Sequence, residues 1–178
     1  MLENKIDTFY IDKYRELLLD YRLWKEKADY LYKSAKLLKP EIEKDWQELK
    51  KGKVFNNQFS SIYFMLSSFA IENLLKAIII KNNFKAINNQ VKNKSELPSM
   101  LCSHDLCYLG KKANLNDIAN DEKFLLEKLS ENAIWKGRYP IPKGSEDHRG
   151  QITFYTSSDY KWTEKLIKEL KIALNKIS

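Results

Sequence analysis

The spacing of apolar residues along the chain predicts a protein built from helices. From Tyr14 to Leu38, apolar side chains recur mostly at steps of three and four residues, with charged residues between them. This spacing is typical of one amphipathic helix of about seven turns, because such steps return to the same helix face. Pro40 ends or kinks that helix and also suits the first turn of a new one. Ile42, Trp46 and Leu49 continue the pattern beyond the proline.

A second long helix, from Gln58 to Asn82, is predicted to be almost entirely apolar. Ser68, Glu72 and Lys76 lie four residues apart and form one narrow polar stripe along it. Glu72 and Lys76 form a favourable pair at this spacing. We expect the pair near the surface, with a buried carboxylate of raised pKa as the alternative. Because charges at mid-span are costly in lipid, the helix is expected at the centre of a bundle and not in a membrane.

The remaining segments complete an all-α architecture. Residues 83–101 are rich in Asn and Lys and contain Pro98, which indicates a flexible polar loop. Ser158 and Asp159 offer a helix N-cap and a first-turn acid before the final amphipathic stretch. Further helices are predicted over residues 105–112, 117–134 and 158–177, with a loop at about 136–156. We therefore expect residues 1–178 to form a single helical domain, an up-and-down bundle of four to five helices.

The composition is that of a globular protein with a basic charge balance. Of the 178 residues, 43% are hydrophobic and 31% are charged, and the formal net charge is +7. This charge favours an anionic partner such as RNA or another polyanion, although a lysine-rich coding style produces the same excess. Cys102 and Cys107 are expected to be free thiols in a reducing cytoplasm, and the N-terminus shows no secretory signal. A cytoplasmic location is therefore predicted.

Motifs for cofactors and metals are missing from the sequence. It contains no glycine-rich phosphate loop, no HExxH zinc motif and no serine-nucleophile elbow. The two cysteines have no Cys or His partners at zinc-finger spacing. We therefore expect neither a cofactor nor a metal ion.

Candidate chemistry concentrates in the loop that begins at Trp135. Residues 135–142 read Trp-Lys-Gly-Arg-Tyr-Pro-Ile-Pro, and an Asp-His-Arg triplet follows at 147–149. Loops held by a rigid scaffold frequently carry binding and catalysis. His148 could move the proton of an attacking 2′-hydroxyl or of the leaving oxygen, while Arg138 stabilises charge on the phosphoryl group. The alternatives are a solvated turn at His148 and simple capping of helix carbonyls by Arg138.

Two further groups of residues complete the candidate list. Nucleic-acid contacts are expected from basic and aromatic residues of the same segment, namely Lys136, Tyr139, Lys143, Arg149 and Tyr155. His104 and Asp105 form a second candidate site, in which the histidine acts as a base oriented by the neighbouring carboxylate. The alternative is a histidine at a helix start that caps or packs.

The chain resembles the HEPN superfamily, compact helical domains common in prokaryotic toxin–antitoxin and phage-defence systems. The resemblance rests on three parts in order: the apolar helix at 67–80, the segment His104-Asp105-Leu106 with Leu109, and the Arg-bearing segment before the last helix. It covers about residues 58–178. It implies a helical bundle and a homodimer, in which two protomers form one cleft that cleaves RNA without a metal ion. A partner protein, such as an antitoxin or a nucleotidyltransferase, also fits this resemblance.

The sequence departs from the family at the catalytic motif. Catalytic HEPN proteins carry an arginine, four to six residues and then a histidine near the start of the final helix. Here nine residues separate Arg138 from His148, and no other arginine precedes a histidine at the family's spacing. One hypothesis is therefore a metal-independent endoribonuclease or RNA-binding effector with Arg138 and His148 at its site. The other is a non-catalytic helical interaction or regulatory module that binds a partner protein, a nucleotide or nucleic acid.

Overall fold

The computed structural model describes residues 2–53, 58–94, 96–136, 138 and 155–177, which are largely helical. The α-helices in chain order are α1 Leu2–Leu19, α2 Tyr21–Lys36, α3 Lys39–Lys50, α4 Gln58–Asn82, α5 Phe84–Lys94, α6 Leu106–Lys112, α7 Asn116–Asp121, α8 Lys123–Glu131 and α9 Ser157–Lys176. A 3-10 turn spans Ser99–Leu101 and a π-helical turn spans Asn132–Lys136. No β-strand occurs in these ranges, so the predicted all-α class is confirmed. The helical segments are more numerous than the four or five expected.

α4 is the central helix of the fold. α2 packs along it most extensively, and α9, α6, α8 and the π-helical turn also contact it. Within the ranges described above, α4 is the one helix long and apolar enough to cross a membrane, and most of it is buried inside the protein. The predicted bounds of this helix and its position in the core are both confirmed.

One apolar core cluster joins helices from both ends of the chain. It includes Leu18 near the end of α1, Ile78 on α4 and Leu170 on α9. An aromatic group extends the cluster, because the ring of Phe64 stacks on that of Tyr155 with their centroids 4.4 Å apart. Burying side chains of this size contributes roughly 1.5–3 kcal/mol each. The core therefore holds α1, α4 and α9 together although they are distant in sequence.

The structure divides the first predicted helix at Asp20. The backbone of Asp20 is extended, with φ −78° and ψ 91°, and its carboxylate accepts a hydrogen bond from the backbone N–H of Arg22. The indole N–H of Trp24 donates to the carbonyl of Leu18 at 3.0 Å, which satisfies a carbonyl at the end of α1. The prediction of one continuous helix from Tyr14 to Leu38 is therefore wrong. The apolar spacing continues from α1 into α2 although the helix breaks at Asp20, because the aspartate caps α2 directly after α1 ends.

Much of the segment predicted as a flexible polar loop, residues 83–101, is helix α5 followed by the 3-10 turn. Ile87 and Val91 lie one turn apart on α5 and are 0% and 1% exposed. The helix packs against α1 and α4. The loop prediction is wrong because tertiary packing can stabilise a short helix whose remaining positions are Asn and Lys.

The last two helical regions also differ from prediction. The helix expected over residues 117–134 is divided into α7, α8 and the π-helical turn. α9 is capped by Thr156 and not by Ser158: the Thr156 hydroxyl accepts from the Asp159 N–H, while the Asp159 carboxylate accepts from the Thr156 N–H. Lys128 of α8 donates to the same carboxylate at 2.9 Å. The acid at Asp159 therefore serves both the helix start and the packing of α9 on α8.

Candidate functional site

Glu72 and Lys76 form an ion pair inside the protein. Lys76 Nζ donates to Glu72 Oε1 at 2.6 Å, one helical turn along α4. The side chain of Lys76 is 6% exposed and that of Glu72 is 8% exposed. The predicted pairing is therefore confirmed, but the expected position near the surface is wrong. The ammonium also lies 6.0 Å from the ring centroid of Trp24, on α2, which packs along this part of α4. Removing one partner of an ion pair buried in this way strongly destabilises the folded protein.

The second carboxylate oxygen of Glu72 faces His104. His104 Nδ1 lies 3.0 Å from Glu72 Oε2. The imidazole side chain is 56% exposed whereas that of Glu72 is 8% exposed, so the pair connects the interior to the surface. Glu72 thus uses one oxygen for a buried cation and the other for a ring that reaches solvent.

Asp105 has a different role from the one predicted. Its carboxylate accepts a hydrogen bond from the backbone N–H of Tyr108 at 3.0 Å and caps the start of α6. The carboxylate in contact with His104 is Glu72, 32 positions earlier. Sequence reasoning singled out both residues, but it paired His104 with its neighbour. No local signal links His104 to Glu72, because the contact depends on how α6 docks on α4.

This arrangement determines the hydrogen-bonding roles of the imidazole. Because a carboxylate oxygen accepts hydrogen bonds, a neutral His104 in this contact donates its Nδ1–H to Glu72 Oε2. The lone pair of the neutral ring then resides on Nε2, the nitrogen that can accept a proton from a bound molecule. A histidine whose one ring nitrogen is held by a carboxylate while the other stays free to accept a proton is the arrangement found in general acid–base sites.

Arg138 reaches the same stretch of α4. Its guanidinium lies 5.0 Å from the ring centroid of Phe69, and the residue is exposed. Phe69 precedes Glu72 by three positions, and residues at this spacing are neighbours on a helix surface. Arg138 and His104 therefore approach neighbouring turns of α4, Arg138 through a ring contact and His104 through a hydrogen bond. Two residues that the sequence placed in separate candidate sites thus contact side chains three positions apart on α4.

Tyr155 is a core residue. It is 3% exposed, and its hydroxyl donates to Asn132 Oδ1 at 2.6 Å. Burial raises the pKa of this phenol to about 12. We therefore correct the expectation that Tyr155 contacts a nucleotide base, because its ring packs against Phe64.

The other site residues predicted from the sequence are described in part or not at all. His148, Arg149, Tyr139 and Lys143 fall outside the described residues. Lys136 ends the π-helical turn, and its side chain is outside the description as well. The pairing of Arg138 with His148 therefore stays a prediction. In the part of the chain that the structure covers, no group of three or more His, Cys, Asp or Glu residues could hold a metal ion.

Comparison of the chain with protein-family models, with curated proteins and with solved structures finds no match. The functional assignment therefore depends on the site itself. That site consists of a buried Lys76–Glu72 pair, the exposed imidazole of His104 bonded to it, and the guanidinium of Arg138 one turn away along α4.

Proposed function

We propose that this protein binds RNA and cleaves it without a metal ion, with His104 as the group that moves the proton. The observation that carries the proposal is the 3.0 Å contact of His104 Nδ1 with the buried carboxylate of Glu72. In the reaction, His104 Nε2 takes the proton of a ribose 2′-hydroxyl and the 2′-oxygen attacks phosphorus. The bond from phosphorus to the 5′-oxygen breaks, and the leaving oxygen takes a proton from solvent. The products are a 2′,3′-cyclic phosphate and a 5′-hydroxyl.

Arg138 supplies the positive charge in this proposal. A guanidinium donates parallel hydrogen bonds to two phosphate oxygens, and it can do so while its plane contacts an aromatic ring. The exposed position of Arg138 over Phe69 is compatible with both contacts. The net charge of +7 favours association with a polyanion.

We include in the proposal that the protein is of the HEPN type and acts in the cytoplasm, in a prokaryotic defence or toxin–antitoxin system. The packing of the His104-Asp105-Leu106 segment supports the assignment to the HEPN type. Leu106 and Leu109 are both fully buried, and Asp105 caps α6, so the segment holds this helix against α4.

The test is cleavage of labelled single-stranded RNA by the purified protein in EDTA. We expect cleavage to survive EDTA and His104→Ala to slow it by about 100-fold or more, the usual range for loss of a general base. His148→Ala is the matched control, because it removes the other histidine of the chain. Cleavage that is lost in His148→Ala and unchanged in His104→Ala would assign the proton transfer to His148 and overturn our assignment. No cleavage of any RNA would overturn the enzymatic proposal.

A second candidate function, a non-catalytic interaction module, is favoured by the exposed apolar side chains of α1. Tyr10, Tyr14 and Leu17 share one helix face by their spacing, Phe9 adjoins it, and their exposed fractions are 40–66%. Exposed apolar patches of this kind mark interaction sites. In this module we propose a second copy of this chain as the occupant of the α1 face, which gives a homodimer.

Sedimentation equilibrium tests the homodimer. The native protein should sediment as a dimer, and the double substitution Tyr10→Ser/Leu17→Ser should sediment as a folded monomer. A dimer that survives this substitution would exclude the α1 face as the interface. A native monomer at micromolar concentration would leave the face to a different partner protein, such as an antitoxin or a nucleotidyltransferase.

A further inference from the structure

α6 presents a cationic and aromatic strip to solvent. Leu106, Leu109 and Gly110 are buried on the side of the helix that faces the core. The opposite side carries Tyr108, Lys111 and Lys112, all exposed, and His104 lies just before the helix begins. We name His104, Tyr108, Lys111 and Lys112 the α6 strip. Tyr108, Lys111 and Lys112 follow the spacing i, i+3 and i+4, which keeps them on one side of α6, and His104 precedes the helix by two residues.

Both ends of α6 are tied to the central helix. His104 contacts Glu72 at one end, and at the other Asn82 Nδ2 donates to the carbonyl of Ala113 at 3.1 Å. α6 therefore runs along α4 in the same direction, and its seven residues span about 10 Å at 1.5 Å per residue. α5 begins two residues after Asn82, and Lys85 in its first turn is exposed.

The two lysines of the strip have their charges available. Neither Lys111 nor Lys112 forms an ion pair with a carboxylate among the described residues, and the Lys112 ammonium lies 5.4 Å from the ring centroid of Tyr108. The acid nearest in sequence to this face is Asp105, whose carboxylate accepts the Tyr108 N–H and caps the helix. The strip thus combines an aromatic ring with two cations beside the histidine that we place in catalysis.

We infer that the α6 strip binds single-stranded RNA and leads it to His104. This inference rests on the proposed function and names its substrate class. In single strands the bases are free to stack on aromatic side chains, while lysines contact the phosphates. A base stacks on Tyr108 in place of the Lys112 ammonium, because base stacking outweighs an exposed cation–π contact. The released Lys112 and its neighbour Lys111 then contact the adjoining phosphates.

A duplex does not fit the strip in the same way. The bases of a duplex are stacked on one another and offer no face to Tyr108. The partner is therefore an unpaired strand, and a duplex of the same length should bind only through the charge of the lysines.

Binding is measured by fluorescence anisotropy with a labelled 2′-O-methyl RNA 12-mer, which lacks the attacking hydroxyl and stays intact. We expect Lys111→Gln/Lys112→Gln to weaken binding about tenfold or more and to lower the salt slope by about 1.4, since each phosphate contact contributes about 0.7 on a single strand. Tyr108→Ala should weaken binding about fivefold or more, and Tyr108→Phe should restore it. Circular dichroism confirms that each variant is folded.

The matched control is Lys161→Gln/Lys168→Gln, which removes the same charge from exposed positions of α9. It should change the Kd less than twofold. Three results would each overturn the proposal that the α6 strip binds single-stranded RNA. They are an equal loss of affinity from the two double lysine substitutions, unchanged binding by Tyr108→Ala, and equal affinity for a duplex.

The outcome for the strip is separate from that for catalysis. If the strip variants lose binding as expected while no natural RNA is cleaved, the strip stands and the cleavage proposal fails. If cleavage depends on His104 while the strip variants bind normally, the cleavage proposal stands and the strip is overturned.

Discussion

His104 takes its orientation from Glu72, a residue 32 positions earlier in the chain: Nδ1 of the imidazole lies 3.0 Å from Oε2 of the carboxylate. The other oxygen of Glu72 is bonded to Lys76 inside the protein. A buried ion pair therefore supports a histidine that reaches solvent. This relationship makes the stability of the core and the proposed chemistry of His104 depend on the side chain of Glu72.

The first prediction concerns the stability of the Lys76–Glu72 pair. Glu72→Ala should lower the free energy of unfolding by about 3–5 kcal/mol, because it leaves the Lys76 ammonium buried without a partner. Urea denaturation measures the change. Glu169→Ala is the control, since it removes an exposed partner of Lys165 and should cost at most about 1 kcal/mol.

A double substitution separates the charge effect from packing. In Glu72→Gln/Lys76→Met neither side chain is charged, so the double variant should recover part of the stability that Glu72→Ala loses. A Glu72→Ala variant as stable as the exposed control would contradict the buried position of the pair.

The second prediction concerns the protonation of the His104 ring. In its neutral form the ring should carry its proton on Nδ1, because Glu72 Oε2 accepts from that nitrogen. Nitrogen-15 NMR of the two histidines distinguishes the tautomers, and a Glu72→Leu/Lys76→Met variant, which has no acceptor at position 72, should lose the preference at His104 alone. A proton found on Nε2 of the neutral ring would contradict the proposed role of that nitrogen as base.

The third prediction concerns Arg138. If its guanidinium stabilises the phosphoryl group, Arg138→Ala should slow RNA cleavage by about 100-fold, the usual effect of losing one such donor. Arg138→Lys should recover only part of the rate, because an ammonium cannot form the planar double contact.

Two measurements control this result. The thermal midpoint of Arg138→Ala should stay within a few degrees of the native value, because the residue is exposed. Arg22→Ala removes an arginine that is bonded to Asp20 away from the site and should cleave at the native rate. A drop in rate common to both variants would indicate a general loss of positive charge and not a contact of Arg138.

The fourth prediction concerns alkaline pH. Burial raises the pKa of Tyr155 from 10.0 to about 12. Between these values the unfolded chain releases the phenolic proton while the folded protein keeps it, so stability falls as pH rises. At pH 11 the loss from this residue should be about 1 kcal/mol relative to pH 8.

Tyr155→Phe should reduce that alkaline loss while it lowers stability at pH 8, since the hydrogen bond to Asn132 is gone. Urea denaturation at the two pH values provides the comparison, and Tyr30→Phe, at an exposed position, is the control. An alkaline loss identical in native protein and Tyr155→Phe would argue against the buried phenol.

The elements that local sequence signals define were predicted well. The bounds of α4 follow from its apolar run, because no short-range feature interrupts it between Gln58 and Asn82. The start of α3 follows from Pro40, and α6, predicted over residues 105–112, spans Leu106–Lys112. In each case residues within one turn decide the local structure, so the sequence contains what is needed.

The elements that depend on distant neighbours were missed. Among the described side chains of α5, Ile87 and Val91 are the fully buried anchors, and they are covered by other helices. The cap of α9 is Thr156 where the sequence predicts Ser158, and both are good N-cap residues. The choice between them is made by Asp159, which also bonds to Lys128 of α8. Packing selects among local options that are nearly equal in energy.

By itself the sequence determined an all-helical chain, its central apolar helix and the residue types capable of acid–base chemistry. Only the tertiary structure decided which of them meet. His104 is bonded to Glu72 and not to Asp105, and Arg138 lies against Phe69, one turn away. The physical reason is that periodicity and caps act over a few residues, whereas these contacts arise when α6 and the segment after α8 dock on α4.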